Sequence, residues 1–245
     1  MTRSTSETGH AINVANFQQL IKACEALGTA YNPANPRLST QNLLLQHSDA
    51  EKTLNEVNKN LKPLADAINQ RDELFSSLKV FVTRISGAIQ ASDISPAAIK
   101  DLKTVMRKLQ GRKAPGTNKS ANEQPDNEST QGISTSQQSF NALIENFDRL
   151  VAMLDQEPNY NSNETDLTVA GLKTRLANMR QANNDCLDNF GPLANARLAR
   201  NNALYAPITG VVDTAKAIKS YVRSVLGSKH PSFAQINGIA FKKTI

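Results

Sequence analysis

Few residues in this chain have the types and spacing that chemistry requires. There are three histidines: His10, His47 and His230. Glu7 and His10 form one Glu-x-x-His pair, but a di-metal helical centre needs two such pairs and two further glutamates on facing helices. His10 falls in a polar start that is expected to be flexible. His47 falls at the edge of an apolar stripe, and His230 before Pro231 in a turn. No Cys/His cluster has zinc-ligand spacing. Cys24 and Cys186 stand alone in apolar-periodic segments and read as buried, reduced thiols. There is no Gly-x-Ser-x-Gly, no Walker loop and no Gly-x-Gly-x-x-Gly. The expectation is no catalytic residue, no metal site and no cofactor.

Basic residues give a stronger pattern. Segment 38–75 carries four Lys/Arg against six Asp/Glu, and 76–113 eight against two. Segment 140–196 carries four against eight, and 197–245 eight against one. Each half is therefore acidic early and basic late. One reading is pairing between neighbouring helices. The sharper reading is a basic face of Lys79, Arg84, Lys100, Lys103, Arg107, Lys108, Arg112 and Lys113. Lys216, Lys219, Arg223, Lys229, Lys242 and Lys243 would form its counterpart. Such a face binds phosphates without reading bases. No helix-turn-helix signature or interleaved aromatic platform supports base readout.

Two further arginines stand apart. Arg71 and Arg200 lie in or beside an apolar stripe, each after Pro-Leu-Ala and each before a Leu-aromatic pair. The expectation is that their stems pack on the core and their heads pair with carboxylates, Glu56 or Asp185 for example. Contact with a ligand anion is the other reading.

The elements that must position these groups are written twice. Phe17, Leu20, Ile21, Cys24 and Leu27 recur 123 residues later as Phe140, Leu143, Ile144, Phe147 and Leu150. Leu38, Leu43, Pro63-Leu64-Ala65 and Arg71 recur 129 residues later as Leu167, Leu172, Pro192-Leu193-Ala194 and Arg200. The organisation expected is a flexible start at 1–13, a helical repeat at 14–110, a flexible polar linker at 111–138 and a second repeat at 139–245. The linker is rich in Gly, Asn, Ser, Thr, Gln and Pro and almost lacks large apolar residues, so it cannot offset its ordering entropy.

Apolar residues recur at helical spacing throughout, with four- and three-residue steps from Leu43 to Ile89. No period-2 run predicts a strand. Pro63 and Pro192 interrupt the long stretches, and either a kink or a hairpin turn satisfies them; in both cases they suit the first turn of a new helical segment. Ser95-Pro96 and His230-Pro231 open the last helix of each repeat. The fold class that follows is all-α: two homologous repeats packed as a pseudo-twofold helical bundle, six to eight helices, no sheet.

Composition bounds the rest. The 245 residues carry net charge +6 and 39% hydrophobic residues, enough for a sizeable core. No apolar run reaches the roughly 20 residues that span a bilayer. The polar start lacks a signal-peptide core, which with the thiols predicts a cytoplasmic protein. The pattern Arg200-Asn201-x-x-Leu204-Tyr205, then Lys219-x-Tyr221-Val222-x-Ser224-x-x-Gly227, resembles an uncharacterised family of all-helical bacterial proteins of similar length, mainly over the second repeat. That resemblance implies a helical fold and carries no activity with it. The leading functional reading is a non-enzymatic helical interaction or scaffold protein with a protein partner. The alternative is nonspecific binding of nucleic acid or another polyanion through the basic helices, and an enzyme comes third.

Overall fold

A computed structural model of the chain describes residues 8–112 and 138–242. Most of the expected linker, with Lys113, and also Glu7 and Lys243 lie outside the described residues. Eight α-helices follow in order: α1 (Thr8–Ala26), α2 (Thr40–Ser76), α3 (Leu78–Gln90), α4 (Pro96–Gln110), α5 (Phe140–Asp155), α6 (Val169–Tyr205), α7 (Val211–Leu226) and α8 (Pro231–Gly238). No strand occurs among the described residues, so the class is all-α, as the periodicity predicts.

The helix ends follow from local chemistry. Ser95 caps α4, its Oγ accepting from the Ala98 amide at 3.2 Å, with Pro96 in the first turn. Gly111 closes α4 at φ 68°, a left-handed conformation that glycine adopts without a Cβ clash. Ser139 caps α5 in the same way as Ser95 caps α4. His230 is the N-cap of α8, its Nδ1 accepting from the Ser232 amide.

Three expectations change. The first helix starts at Thr8, so 8–13 belong to α1 and are not a flexible start. His10 is buried on that helix. The reason is that the apolar stripe extends backwards through Val14, Asn13 and His10 at helical spacing, and tertiary burial outweighs their polarity. Second, Pro63 and Pro192 lie inside α2 and α6, each 37 residues long, and not in the first turn of a new segment. Each proline removes one intrahelical bond. Buried residues before it (Val57, Cys186) and after it (Ala67, Leu193) keep the helix packed on both sides. Gly191 and Asn189 do not break α6. Third, the fully buried partners of Phe17, Leu20, Ile21 and Cys24 in the later stretch are Phe147, Leu150, Val151 and Leu154, at an offset of 130 and not 123. A heptad-like stripe matches itself when slid by seven residues, about two turns, so sequence pattern alone tolerates that slip.

The chain forms two compact units. Unit 1 comprises residues up to Leu64 together with Asn189 onward, and unit 2 comprises Ala65–Asp188. These boundaries do not follow 14–110 and 139–245, because each unit takes segments from both stretches. The core of unit 1 is built from Phe17, Leu20, Ile21 and Cys24 on α1 and Leu43 and Ala50 on α2. Leu204, Ala215, Ile218, Val222, Phe233 and Ile236 complete it. In unit 2, Phe147, Leu150 and Leu154 of α5 pack with Val82, Ile85 and Ile89 of α3, Leu102 and Leu109 of α4, and Leu172 and Met179 of α6. One detail repeats 129 residues apart. The Tyr31 hydroxyl donates to the Leu38 carbonyl at 2.8 Å, and the Tyr160 hydroxyl to the Leu167 carbonyl at 2.6 Å.

Candidate functional site

Unit 2 brings four of the expected cations together. Lys100, Lys103 and Arg107 stand three and four residues apart on α4, which places them on one face. Arg112 follows the Gly111 turn, its amide returning to the Arg107 carbonyl at 2.9 Å. These four side chains, with Ser86, Pro96, Ile99, Thr104, Met106 and Gln110, line a groove of about 620 Å³. The volume falls within the range of ligand clefts, roughly 300–1,000 Å³.

The groove has a defined construction. The Gln110 amide donates to Thr83 Oγ1 at 3.1 Å and ties α4 to α3. Arg107 is steadied by its own helix, donating to Thr104 Oγ1 at 3.0 Å. Pro96, Ile99 and Met106 supply apolar surface among the cations. No Asp or Glu lines the groove, and no carboxylate pairs with its four cations among the described residues. Four like charges without a counter-charge on one face raise a positive potential that attracts anions.

The other sequence candidates are placed differently. Arg84 forms a two-pronged ion pair with Asp166, one contact at 3.1 Å. That bond holds the Asp166 carboxyl below its usual range and raises Arg84. Lys79 is exposed on α3, and Lys108 is half-buried, outside the groove. In unit 1 the counterpart basic residues do not form a similar face. Lys216 pairs with Asp213 at 2.9 Å. The Lys219 ammonium donates to the Asn237 and Ile239 carbonyls, and burial lowers its pKa. Arg223 is exposed on α7. Two basic stretches that read alike in sequence thus differ: one is an open face, the other is partly consumed by the fold.

Arg71 and Arg200 both lie five residues before the end of a long helix, yet their surroundings differ from expectation and from each other. The Arg71 guanidinium stacks over the Phe140 ring at 3.9 Å. Its Nε is buried without a hydrogen-bond partner, and its nearest carboxylate, Asp72, stands at 4.0 Å, beyond bonding distance. An aromatic face takes the role expected of Glu56 or Asp185. Arg200, 5% exposed, donates through Nε and a terminal nitrogen to the Asn201 Oδ1, at 3.2 and 2.9 Å.

Sequence reasoning missed a second polar centre, in unit 1. Asn13, 1% exposed, donates to the Tyr205 hydroxyl, which lies 2.7 Å from His10 Nδ1. Polar residues at stripe positions of an apolar helix are the signal that marks it. Cys24 and Cys186 are buried and unbridged, as expected, and burial pushes the Cys24 thiol up to about 12, which keeps it protonated and unreactive at neutral pH. No group of three His, Cys, Asp or Glu that could hold a metal occurs among the described residues, nor a helix long and apolar enough to cross a membrane. No family model, curated protein or solved structure matches the chain.

Proposed function

We propose that this is a helical interaction protein that acts by binding rather than by catalysis, and that its binding surface is the basic groove of unit 2. The preferred partner is an acidic protein segment with an apolar face. The observation that carries the reading is the lining of the groove, four cations around Pro96, Ile99 and Met106 without a carboxylate. The apolar residues would hold Leu-like side chains while Lys100, Lys103, Arg107 and Arg112 meet Glu or Asp on the partner. A nucleic acid uses the charges but leaves the apolar floor idle, and no aromatic residue lines the groove for base stacking.

The test is binding of a fluorescent amphipathic peptide with Leu on one face and Glu on the other, beside a dT20 oligonucleotide, at 50 and 200 mM salt. The expectation is peptide binding that weakens at least tenfold in Lys103→Glu/Arg107→Glu. Binding of dT20 alone, with a steep salt slope, would give the surface to polyanions instead. No binding of either probe at 50 mM salt would remove both readings.

The same proposal takes 14–110 and 139–245 as copies of one helical unit, akin to the helical bacterial proteins that the Arg200–Gly227 pattern resembles. Supporting it are the paired Tyr–Leu hydrogen bonds and the two 37-residue helices that start 129 residues apart. It also takes the protein as cytoplasmic, which its two buried free thiols support.

A further inference from the structure

A second surface, independent of the basic groove, lies along α1 in unit 1. After α8 the chain runs extended through Ile239 to Lys242. Exposure alternates: Ile239 is buried, Ala240 exposed, Phe241 half-buried and Lys242 exposed, the period-2 pattern of an extended segment. What holds it is unusual in kind. The Asn13 side chain donates to the Lys242 carbonyl at 2.7 Å and accepts from the Lys242 amide at 3.0 Å. Asn16 donates to the Ala240 carbonyl at 2.7 Å. Lys219 donates to the Ile239 carbonyl. All of these bonds go to main-chain atoms, so they hold an extended backbone whatever its side chains are.

The geometry of the two asparagines is that of a ladder. They stand one turn apart on α1 and engage residues two apart on the extended segment, which runs in the opposite sense. Three helical residues rise about 4.5 Å and two extended residues about 6.6 Å, a mismatch that flexible amide side chains span. The ladder has one more rung. Gln19, one turn beyond Asn16, makes no hydrogen bond among the described residues and lines an open groove of about 330 Å³ with Ala23, Ser232, Gln235, Ile236 and Ile239. The chain's own segment does not use that rung, because before Ile239 it turns into α8.

We propose that this cleft is a receptor for an extended peptide, occupied in the described state by the chain's own segment 239–242. It accepts in trans a partner segment of the same chemistry: a branched apolar residue, a small residue, an aromatic residue and a basic residue. A partner that stays extended beyond the apolar position reaches the Gln19 rung, which the chain's own segment cannot. That extra rung gives the partner a contact with which to displace the resident segment.

The test uses the full chain and a fluorescent decapeptide ending in Ile-Ala-Phe-Lys after six extended Ser/Thr residues, followed by anisotropy. A tethered segment competes at an effective concentration of about millimolar. The variant Ile239→Ser/Phe241→Ser, whose own segment is weakened, is therefore expected to bind the peptide at least tenfold tighter than the parent. Gln19→Ala should weaken peptide binding severalfold in either background and leave the thermal midpoint unchanged, since Gln19 holds nothing in the resting fold. Equal affinity of parent and weakened variant, or no effect of Gln19→Ala, would overturn the proposal. If the double variant does not fold, hydrogen exchange on the parent decides. Release of the Lys242 amide through local opening, insensitive to denaturant, supports an exchangeable segment. Release only with global unfolding overturns it. Dimerisation of the parent that the peptide abolishes would assign the cleft to the segment of a second copy and overturn the partner reading.

Discussion

Replacing Arg71 with methionine should leave stability within about 1 kcal/mol of the parent, although Arg71 is a largely buried charge on a long helix. The balance is worked from its contacts. The guanidinium gains its stacking on Phe140 at 3.9 Å, worth about 0.5–2 kcal/mol for a partly desolvated cation–π pair. Against this stands the buried Nε without an acceptor, a desolvation loss of about 1–3 kcal/mol. Methionine keeps an unbranched stem against the same ring and removes the unsatisfied donor, so the two terms nearly cancel. At the matching place in α6 the balance differs. Asn201→Ala takes from Arg200, 5% exposed, an acceptor that it engages through two nitrogens. A hydrogen bond to a buried charged group is worth about 1.5–3 kcal/mol, and a loss of that size is expected. Urea denaturation followed by circular dichroism, with slopes compared as well as midpoints, measures both. A loss above about 2 kcal/mol in Arg71→Met, or none in Asn201→Ala, would show that burial and hydrogen bonding misjudge which arginine the fold depends on.

Three other outcomes follow from local geometry. A Cβ at Gly171 would lie 2.2 Å from the Thr165 carbonyl oxygen, a backbone atom that cannot step aside, so Gly171→Ala should lower stability by about 2 kcal/mol or more in chemical denaturation. Asp166→Asn breaks the bond to Arg84 that depresses the Asp166 pKa. Because the folded value lies below the unfolded one, the contribution is present above about pH 4 and lost as pH falls through the folded value. The variant's lower thermal midpoint at pH 7 should therefore converge on the parent's in a series down to pH 3. Cleavage at a protease site placed in 113–137 should leave both fragments co-eluting in gel filtration, because the cores of both units draw residues from both fragments; separation without denaturant would contradict that construction.

The sequence was most legible where one physical rule acts alone. Ser95-Pro96 and Gly111 delimit α4 because capping and backbone freedom are local. The Phe17–Cys24 stripe identifies its buried face because burial requires only the 3.6-residue period. It was less legible where rules compete. Pro63 and Pro192 carry a strong local signal to break, and each is overruled by burial on both sides of it. His10 and Asn13 carry the opposite conflict: their polarity argues for solvent, and the Tyr205 hydroxyl and the Lys242 backbone satisfy them in the interior. Those partners lie some two hundred residues away, beyond the reach of any local pattern.

The same limit explains the two basic stretches. Charge counts find both, because composition is local, but they cannot say which cations remain open. That depends on what lies opposite each lysine. On α4, Lys100 and Lys103 face Ser86 and apolar side chains, and their charge stays available. On α7, Lys219 faces the last carbonyls of α8 and the Phe241 ring, so its charge holds an extended segment in place. Helix α4 has 15 residues and ends in a glycine cap, whereas α8 has 8 and ends in extended chain. A shortened helix leaves carbonyls without intrahelical partners and side of α1 without a helical cover. Lysine and asparagine side chains satisfy both needs at once, by gripping backbone. Divergence in the length of one helix therefore changes a basic stretch from an open anion-binding face into part of a peptide-holding cleft.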